Sequence, residues 1–388
     1  MQKRLKIIRT STVATSLNVF CRGTLKKLSE KYDVVAVSTP GEELNEIAQR
    51  EGVRTVGVPM TRPISPINDL VSLLRLVKTF LCERPDMVHS ITPKAGLLSM
   101  IAAWICRVPV RMHTFTGLVF PTATGLKQRV LILTDSITCA CATHIVPEGE
   151  GVKHDLQQYG ITRKPMNVLG YGNVRGVDMD HYCRTAEVMA KADGIRQSDV
   201  FTFVFVGRIV RDKGIGELVD AFSRLNKEIS GTRLLLVGYY EDTDPLDGAV
   251  RQEIDNNPAI VMAGRQTDVR PWYAASDALA FPSYREGFPN VVLEAGAMGL
   301  PSIVTDINGS REIISEGENG VIVPAHDADA LYEQMRRMVR DQSFTARLAA
   351  NSRRMVAERF DKRFVEKCLL DYYEEVINSV FLKKITDR

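Results

Sequence analysis

The sequence predicts an α/β fold built from two doubly wound, parallel-sheet domains. Three observations carry that expectation. Strand-like and helix-like segments alternate from the first residues, a glycine-rich stretch interrupts them near the middle, and the alternation then starts afresh. A chain of 388 residues is long enough for two domains with full cores. Its 45% hydrophobic and 25% charged composition is that of an ordinary globular protein.

In order, "KIIRTS" reads as a strand and "NVFCRGTLKKLSEKY" as one helix; "DVVAVST" is a strand and "EELNEIAQREG" a helix. The amphipathic "DLVSLLRLVKTFLCERP" leads into the strand "DMVHSIT". A buried helix, "AGLLSMIAAWICRV", and a strand, "VRMHTF", follow. The connection "NVLGYGNVRGVDMDHY" (Asn167–Tyr182) separates a domain of residues 1–170 from one of 171–362. Beyond it come the strand "FTFVFVGR", the helix "IGELVDAFSRLNKEI", and the strands "TRLLLVGYY", "AIVMAG", "ALAFPS" and "SIVTD". The last stretch, 363–388, reads as a long amphipathic helix with no strand after it, expected to pack back on the first domain. Ligands of such sheets bind beyond the strand C-termini, here expected in an interdomain cleft.

The basic start, "MQKRLKIIRTSTV", has too short an apolar run for a signal peptide. The longest such run, Leu97–Cys106, is about half of what a spanning helix needs. A cytoplasmic chain is expected. The seven cysteines (21, 82, 106, 139, 141, 183, 368) match no zinc spacing and read as reduced core thiols. Residues 1–170 hold 22 Lys/Arg against 13 Asp/Glu, or +9, and the remainder is −6. A basic front half fits nucleic acid, an anionic membrane, or a merely solvated face.

The chemistry concentrates in two stretches. In "SYREGFPNVVLEAGAMGLPSIVTD" (Ser283–Asp306), Pro289 suits the first helical position and Gly299-Leu300-Pro301 a helix stop. Glu286 falls in the loop before the helix and Glu294 on its second turn, both able to face the helix N-terminus, a place suited to phosphate. As isolated residues, both also read as plain surface charges. In "VFVGRIVRDKGIGELVDAF" (Val204–Phe222), Gly207 ends a strand, and Arg208 and Lys213 flank a loop closed by Gly214. Two cations converging near a helix N-terminus form a diphosphate clamp. The dinucleotide fingerprint G-x-G-x-x-G is absent, which disfavours a nicotinamide site.

Taken together, these stretches resemble the retaining glycosyltransferases of the two-Rossmann (GT-B) architecture, specifically glycosyltransferase family 4. "GSREII" with "ENGVIVPAHDADAL" extends the likeness, and "PMTRPISPINDL", "VHSITPKAGLL" and "VRMHTFTGLVF" resemble the subgroup that builds capsule or lipid-linked surface polysaccharide. The resemblance implies a hexosyl- or N-acetylhexosaminyltransferase without cofactor or metal, and with no nucleic-acid partner. Its donor would be a nucleotide-diphosphate sugar, with UDP favoured. Its acceptor would be a polyprenyl-diphosphate-linked sugar at the inner membrane surface. Glu294 would accept from the ribose diol and Glu286 from donor-sugar hydroxyls, beside the backbone of Gly287, Phe288, Pro289 and Asn290. Arg208 and Lys213, next to Gly207, would neutralise the leaving diphosphate. His113 would reach the donor sugar, and the base would lie near Gly264, Arg265 and Gln266. Lys94 would meet an acceptor phosphate, with Arg62, Lys127 and Arg129 as further candidates.

One loop departs from the family pattern: "RTSTVATSLN" lacks the usual glycines, so Ser16 and Leu17 would supply backbone to the acceptor. The "DTD" of Asp242–Asp244 is expected to be a solvated acidic turn away from the clamp. Two other classes stay open, a nucleotide-sugar epimerase of the same fold and a non-catalytic sugar-nucleotide-binding partner subunit.

Overall fold

The computed structural model describes residues 4–382. It divides into two compact units: one extends to Arg175 and resumes at Phe364, and the other is Gly176–Arg363.

The first unit contains β1 (Lys6–Thr10), α1 (Ala14–Cys21), α2 (Thr24–Lys31), β2 (Asp33–Ser38), α3 (Glu42–Glu51), β3 (Arg54–Gly57), α4 (Pro66–Glu83), β4 (Met87–Ile91), α5 (Pro93–Ile105), β5 (Val110–Phe115), α6 (Gly125–Cys141), β6 (His144–Pro147) and α7 (Glu150–Gln158). Its six strands are parallel, in the order β3-β2-β1-β4-β5-β6. The chain winds outward from β1 on one side and restarts at β4 on the other, so the winding reverses between β1 and β4. β4 is buried along its whole length, His89 and Ser90 included.

The second unit follows the same plan with α8 (Ala186–Asp193), β7 (Phe201–Val206), α9 (Ile215–Glu228), β8 (Thr232–Val237), α10 (Gly248–Asn256), β9 (Ile260–Gly264), α11 (Arg270–Ala274), β10 (Ala278–Phe281), α12 (Asn290–Ala297), β11 (Ser302–Thr305), α13 (Ser310–Ile313), β12 (Gly320–Val323), α14 (Ala328–Arg340) and α15 (Gln342–Phe360). The sheet order is β12-β11-β10-β7-β8-β9, which places the reversal between β7 and β10. The terminal helix α16 (Lys362–Ile377) buries Tyr372, Tyr373, Val376 and Ile377 in the same core as Ile7, Leu17, Leu25 and Val34 of the first unit. Residues 383–388 of the expected helix lie outside the described residues.

Several local expectations need correction. "NVFCRGTLKKLSEKY" is two helices, because Gly23 turns left-handed (φ 83°) between α1 and α2. The buried Glu51 carboxylate accepts from Gly23 N at 3.0 Å and Lys26 N at 3.2 Å, capping α2 from another element. Pro289 is the N-cap of α12 and not its first helical residue. Cys21 and Cys139 are buried, but Cys82 is exposed on α4 and is no core thiol.

The first unit also buries the Arg9 guanidinium. Arg9 donates to Tyr373 Oη at 2.7 Å and to Nδ1 of His89, whose Nε2–H is 2.7 Å from Thr114 Oγ1. Burial, with Arg9 and then His113 nearby, holds the His89 imidazole well below its usual range. Burial likewise brings His113 down to about 3. Both rings are therefore neutral in the fold but take up protons once unfolded, below about pH 6.5. Their stabilising contribution is complete above that pH and is lost as pH falls toward the folded values. Going from about pH 7 to about pH 5.5 is expected to cost about 2–3 kcal/mol for the two rings together. Urea unfolding at those two values measures it, and the His113→Gln chain should show about half the fall. An unchanged stability would mean that neither ring is buried neutral.

Candidate functional site

The site is built where the winding reverses in the second sheet, at the C-terminal ends of β7 and β10. The chain leaves β7 at Gly207, passes Arg208, and turns through Arg211–Lys213 to Gly214, the N-cap of α9. Gly214 has φ +68°, and a Cβ there would lie 2.0 Å from the Pro282 carbonyl oxygen beyond β10. The absence of a side chain at Gly214 lets the two strand exits touch. Lys213 Nζ, directed back over the reversal, bonds Glu286 Oε1, which also accepts from Ser283 Oγ at 2.9 Å. The two side chains are only 13% and 18% exposed, so their attraction is weakly screened. Arg208 bonds Glu241 and does not share a carboxylate with Lys213.

Around this pair the loop is fixed by its neighbours. Tyr284 N donates to Asp212 O at 2.9 Å, and the Tyr284 hydroxyl donates to Glu217; burial, and then this bond, push the phenol above its usual range. Gly309 presses against the Glu286 loop, since a Cβ there would lie 2.4 Å from Gly287 O. Phe288 is buried, with its ring against Phe360. Glu294, on the second turn of α12, is 8% exposed. The surface-charge reading of both glutamates fails here, because Glu286 is bonded inside the loop and Glu294 is buried.

The β8 and β9 exits complete the edge. Gly238 N donates to Gly264 O at 3.0 Å, and Gly264 takes φ +67°. Gln266 Nε2 donates to Ala263 O at 2.6 Å, while the Arg265 guanidinium lies 5.8 Å from the Tyr239 ring centre. The turn of Asp242–Asp244 is not remote from the cation loop. Asp244 accepts from Asp212 N at 2.7 Å and pairs with Arg211 at 3.3 Å, while neighbouring Glu241 holds Arg208. The acidic turn braces the loop because β7 and β8 are adjacent strands whose exits meet. An open groove lined by Arg184, Arg196 and Asp277 lies instead at the N-terminal ends of β7 and β10, the opposite edge of the sheet.

In the first unit, His113 on β5 is 1% exposed, with Nδ1 2.8 Å from Ser90 Oγ. Gly96 of α5 passes so close that a Cβ would overlap the ring at 2.3 Å. Two residues expected at the acceptor have partners within the fold. Ser16 and Leu17 lie within α1 and not in a loop; Ser16 N donates to Val13 O at 3.0 Å, and Leu17 is buried. The Lys94 ammonium is bonded to Asp69 at 2.6 Å, and the Pro63 carbonyl accepts as well, which pins the start of α4. Arg62, Lys127 and Arg129 are exposed. The sequence reading missed the threonine pair at this sheet's reversal. There Thr12 Oγ1 lies 2.8 Å from Thr92 Oγ1, and Thr92 holds a strained φ of 77°. Nothing local in either threonine signals the pairing, because the two are 80 positions apart.

Among solved structures, Anabaena HepE in complex with UDP-glucose superposes with a TM-score of 0.79 at 18% identity, covering 96% of this chain and all of that one. Two six-stranded parallel sheets with this likeness define the GT-B fold of glycosyltransferases. Residues 17–172 match the glycosyl transferase 4-like domain, and residues 200–341 match glycosyl transferases group 1. The capsular polysaccharide biosynthesis glycosyltransferase CapM of Staphylococcus aureus is 33% identical over 388 residues, 98% of this chain and 99% of that protein. The UDP-Gal:α-D-GlcNAc-diphosphoundecaprenol α-1,3-galactosyltransferase of Escherichia coli is 26% identical over 361 residues, 90% and 91% of the two chains. The chain belongs to this glycosyltransferase family, and it is an enzyme.

Proposed function

We propose that this glycosyltransferase moves a sugar from a UDP-sugar to a hydroxyl of a polyprenyl-diphosphate-linked glycan, with retention and without a metal ion, in surface polysaccharide synthesis. The observation that carries the reading is the Lys213–Glu286 pair over the β7/β10 reversal, with Arg208 at the same edge. An ammonium has three donors, so Lys213 can keep Glu286 and still offer hydrogens to a diphosphate. With Arg208 it would stabilise the charge that develops on the leaving nucleotide, the task a divalent cation performs elsewhere. Glu286 would hold donor-sugar hydroxyls, Glu294 the ribose diol, and Gly264 to Gln266 the base. The UDP and lipid-linked parts draw on the names of the relatives and of the HepE complex. Work at a lipid-linked acceptor would place the enzyme peripherally on the inner face of the membrane, since no described helix is long and apolar enough to cross one.

A thermal-shift panel of UDP, GDP, ADP and CMP tests the donor. A nucleotide at about 100 times its dissociation constant adds about 2.7 kcal/mol of stability, so UDP should stand out. A response to GDP alone would overturn that choice. With a UDP-sugar, transfer should persist in EDTA and the product should keep the donor's anomeric configuration by NMR. Activity lost to EDTA and restored by manganese, an inverted product, or epimerised donor would each sink the corresponding clause.

A further inference from the structure

Helix α4 is apolar on two faces. Ser72, Leu76 and Phe80 point into the core of the first unit. On the other side Ile67, Leu70, Val71, Leu74 and Leu81 are exposed, Ile67 to 80% and Leu74 to 60%. Their spacing is that of a single helical stripe, about 21 Å long from Ile67 to Leu81. The C-terminal turn of α5 runs alongside, its Cys106 Sγ 3.6 Å from Val77 O of α4. There Trp104, 59% exposed, and Ile105 extend the apolar surface. Arg75 and Lys78 are exposed on α4, as are Arg62 just before it and Arg107 just after α5. The one carboxylate between residues 62 and 82, Asp69, is bonded to Lys94.

We propose that this stripe of α4, with the end of α5, docks the first unit on an anionic phospholipid surface. α4 would lie along the headgroup plane with its leucines and isoleucine in the acyl boundary. The flanking cations decide the occupant. Against a lipid phosphate layer they are complementary, with Trp104 at the interfacial depth that indole prefers. Against the same stripe of a second copy they would meet like charges. The inference deepens the lipid-linked acceptor reading, but it locates the contact in an apolar stripe and not in Lys94 or the net charge alone.

The test uses the full chain with Trp272→Phe, which leaves Trp104 as the only tryptophan, and no sugar donor. Vesicles of phosphatidylcholine alone are compared with vesicles containing phosphatidylglycerol. Anionic vesicles should shift Trp104 emission to the blue, and brominated acyl chains should quench it. Binding should weaken with salt and be at least tenfold weaker with the neutral vesicles. Leu74→Glu should lower vesicle affinity at least tenfold, and Ile67→Asp should do the same. Both positions face solvent, so melting temperatures should match the parent. Unchanged Trp104 emission, or variants that bind as tightly as the parent, would overturn the proposal. So would a dimer that Leu74→Glu dissociates while vesicles are ignored. Transfer to a short-chain, water-soluble acceptor should be unaffected by Leu74→Glu. Loss of all transfer while vesicle binding persists would count against the acceptor reading alone and leave the docking surface standing.

Discussion

Lys213→Ala is expected to lower kcat by about 10²–10³-fold, the usual effect of removing one preorganised donor from a developing charge. The donor KM should move much less, because the lost interaction is stronger in the transition state than in the bound donor. The substitution also leaves Glu286 in a loop where only Ser283 still donates to it among its described side-chain partners. The two residues touch, so their effects should not add. Adding Glu286→Gln to Lys213→Ala should cost less than the product of the two single losses, since the neutral amide removes the stranded charge. Steady-state kinetics on the four chains of this cycle measure the coupling. A kcat within twofold of the parent for Lys213→Ala would take the clamp away from this lysine.

Gly214→Ala is expected to be strongly destabilising for the second unit. It places an L side chain at φ +68°, which costs on the order of 1–3 kcal/mol. It also sets a Cβ 2.0 Å from Pro282 O, a backbone atom that cannot rotate away. The joint cost should exceed about 4 kcal/mol and lower the melting temperature by roughly 10 °C. Gly264→Ala is the control: φ is +67°, but nothing lies within 4 Å of the added methyl. It should show only the strain, and melt nearer the parent. Equal losses at the two positions would mean that the contact of the β7 and β10 exits is not what fixes Gly214.

The fold was legible where the local signal was strong. The runs rich in Val, Ile, Phe or Leu that became β1, β2, β7 and β8 are buried parallel strands and cannot be mistaken for surface segments. Short or half-polar strands were missed: β3 is an exposed-to-intermediate edge strand, and β6 and β12 have four residues each. The terminal helix was legible as amphipathic, but which core would take Tyr372 and Tyr373 depended on the return of the chain to the first unit.

The site divides along the same line. Glu286, Lys213 and Gly214 could be singled out from sequence because glycine and proline mark the strand-to-helix turns that carry them. Their meeting could not, since 73 positions separate Lys213 from Glu286 and the strand order alone brings them together. The acidic turn was misplaced because nothing in "DTD" says that the exit of β8 lies against that of β7. The Lys94–Asp69 pair was not legible either, because the two are 25 positions apart on different helices.

Local chemistry, then, is what the sequence by itself determined: two wound sheets, turns made of glycine, a cation loop and a glutamate loop each at a strand exit, and membership of a transferase family. The tertiary structure decided the partners. It paired Lys94 with Asp69, turned an acidic surface turn into a brace for Arg211 and Asp212, and left the outer stripe of α4 uncovered among the described residues. The physical reason is one of range. Backbone conformation responds to neighbours a few residues away, whereas a charge or an apolar side chain is satisfied by whatever the sheet order sets beside it.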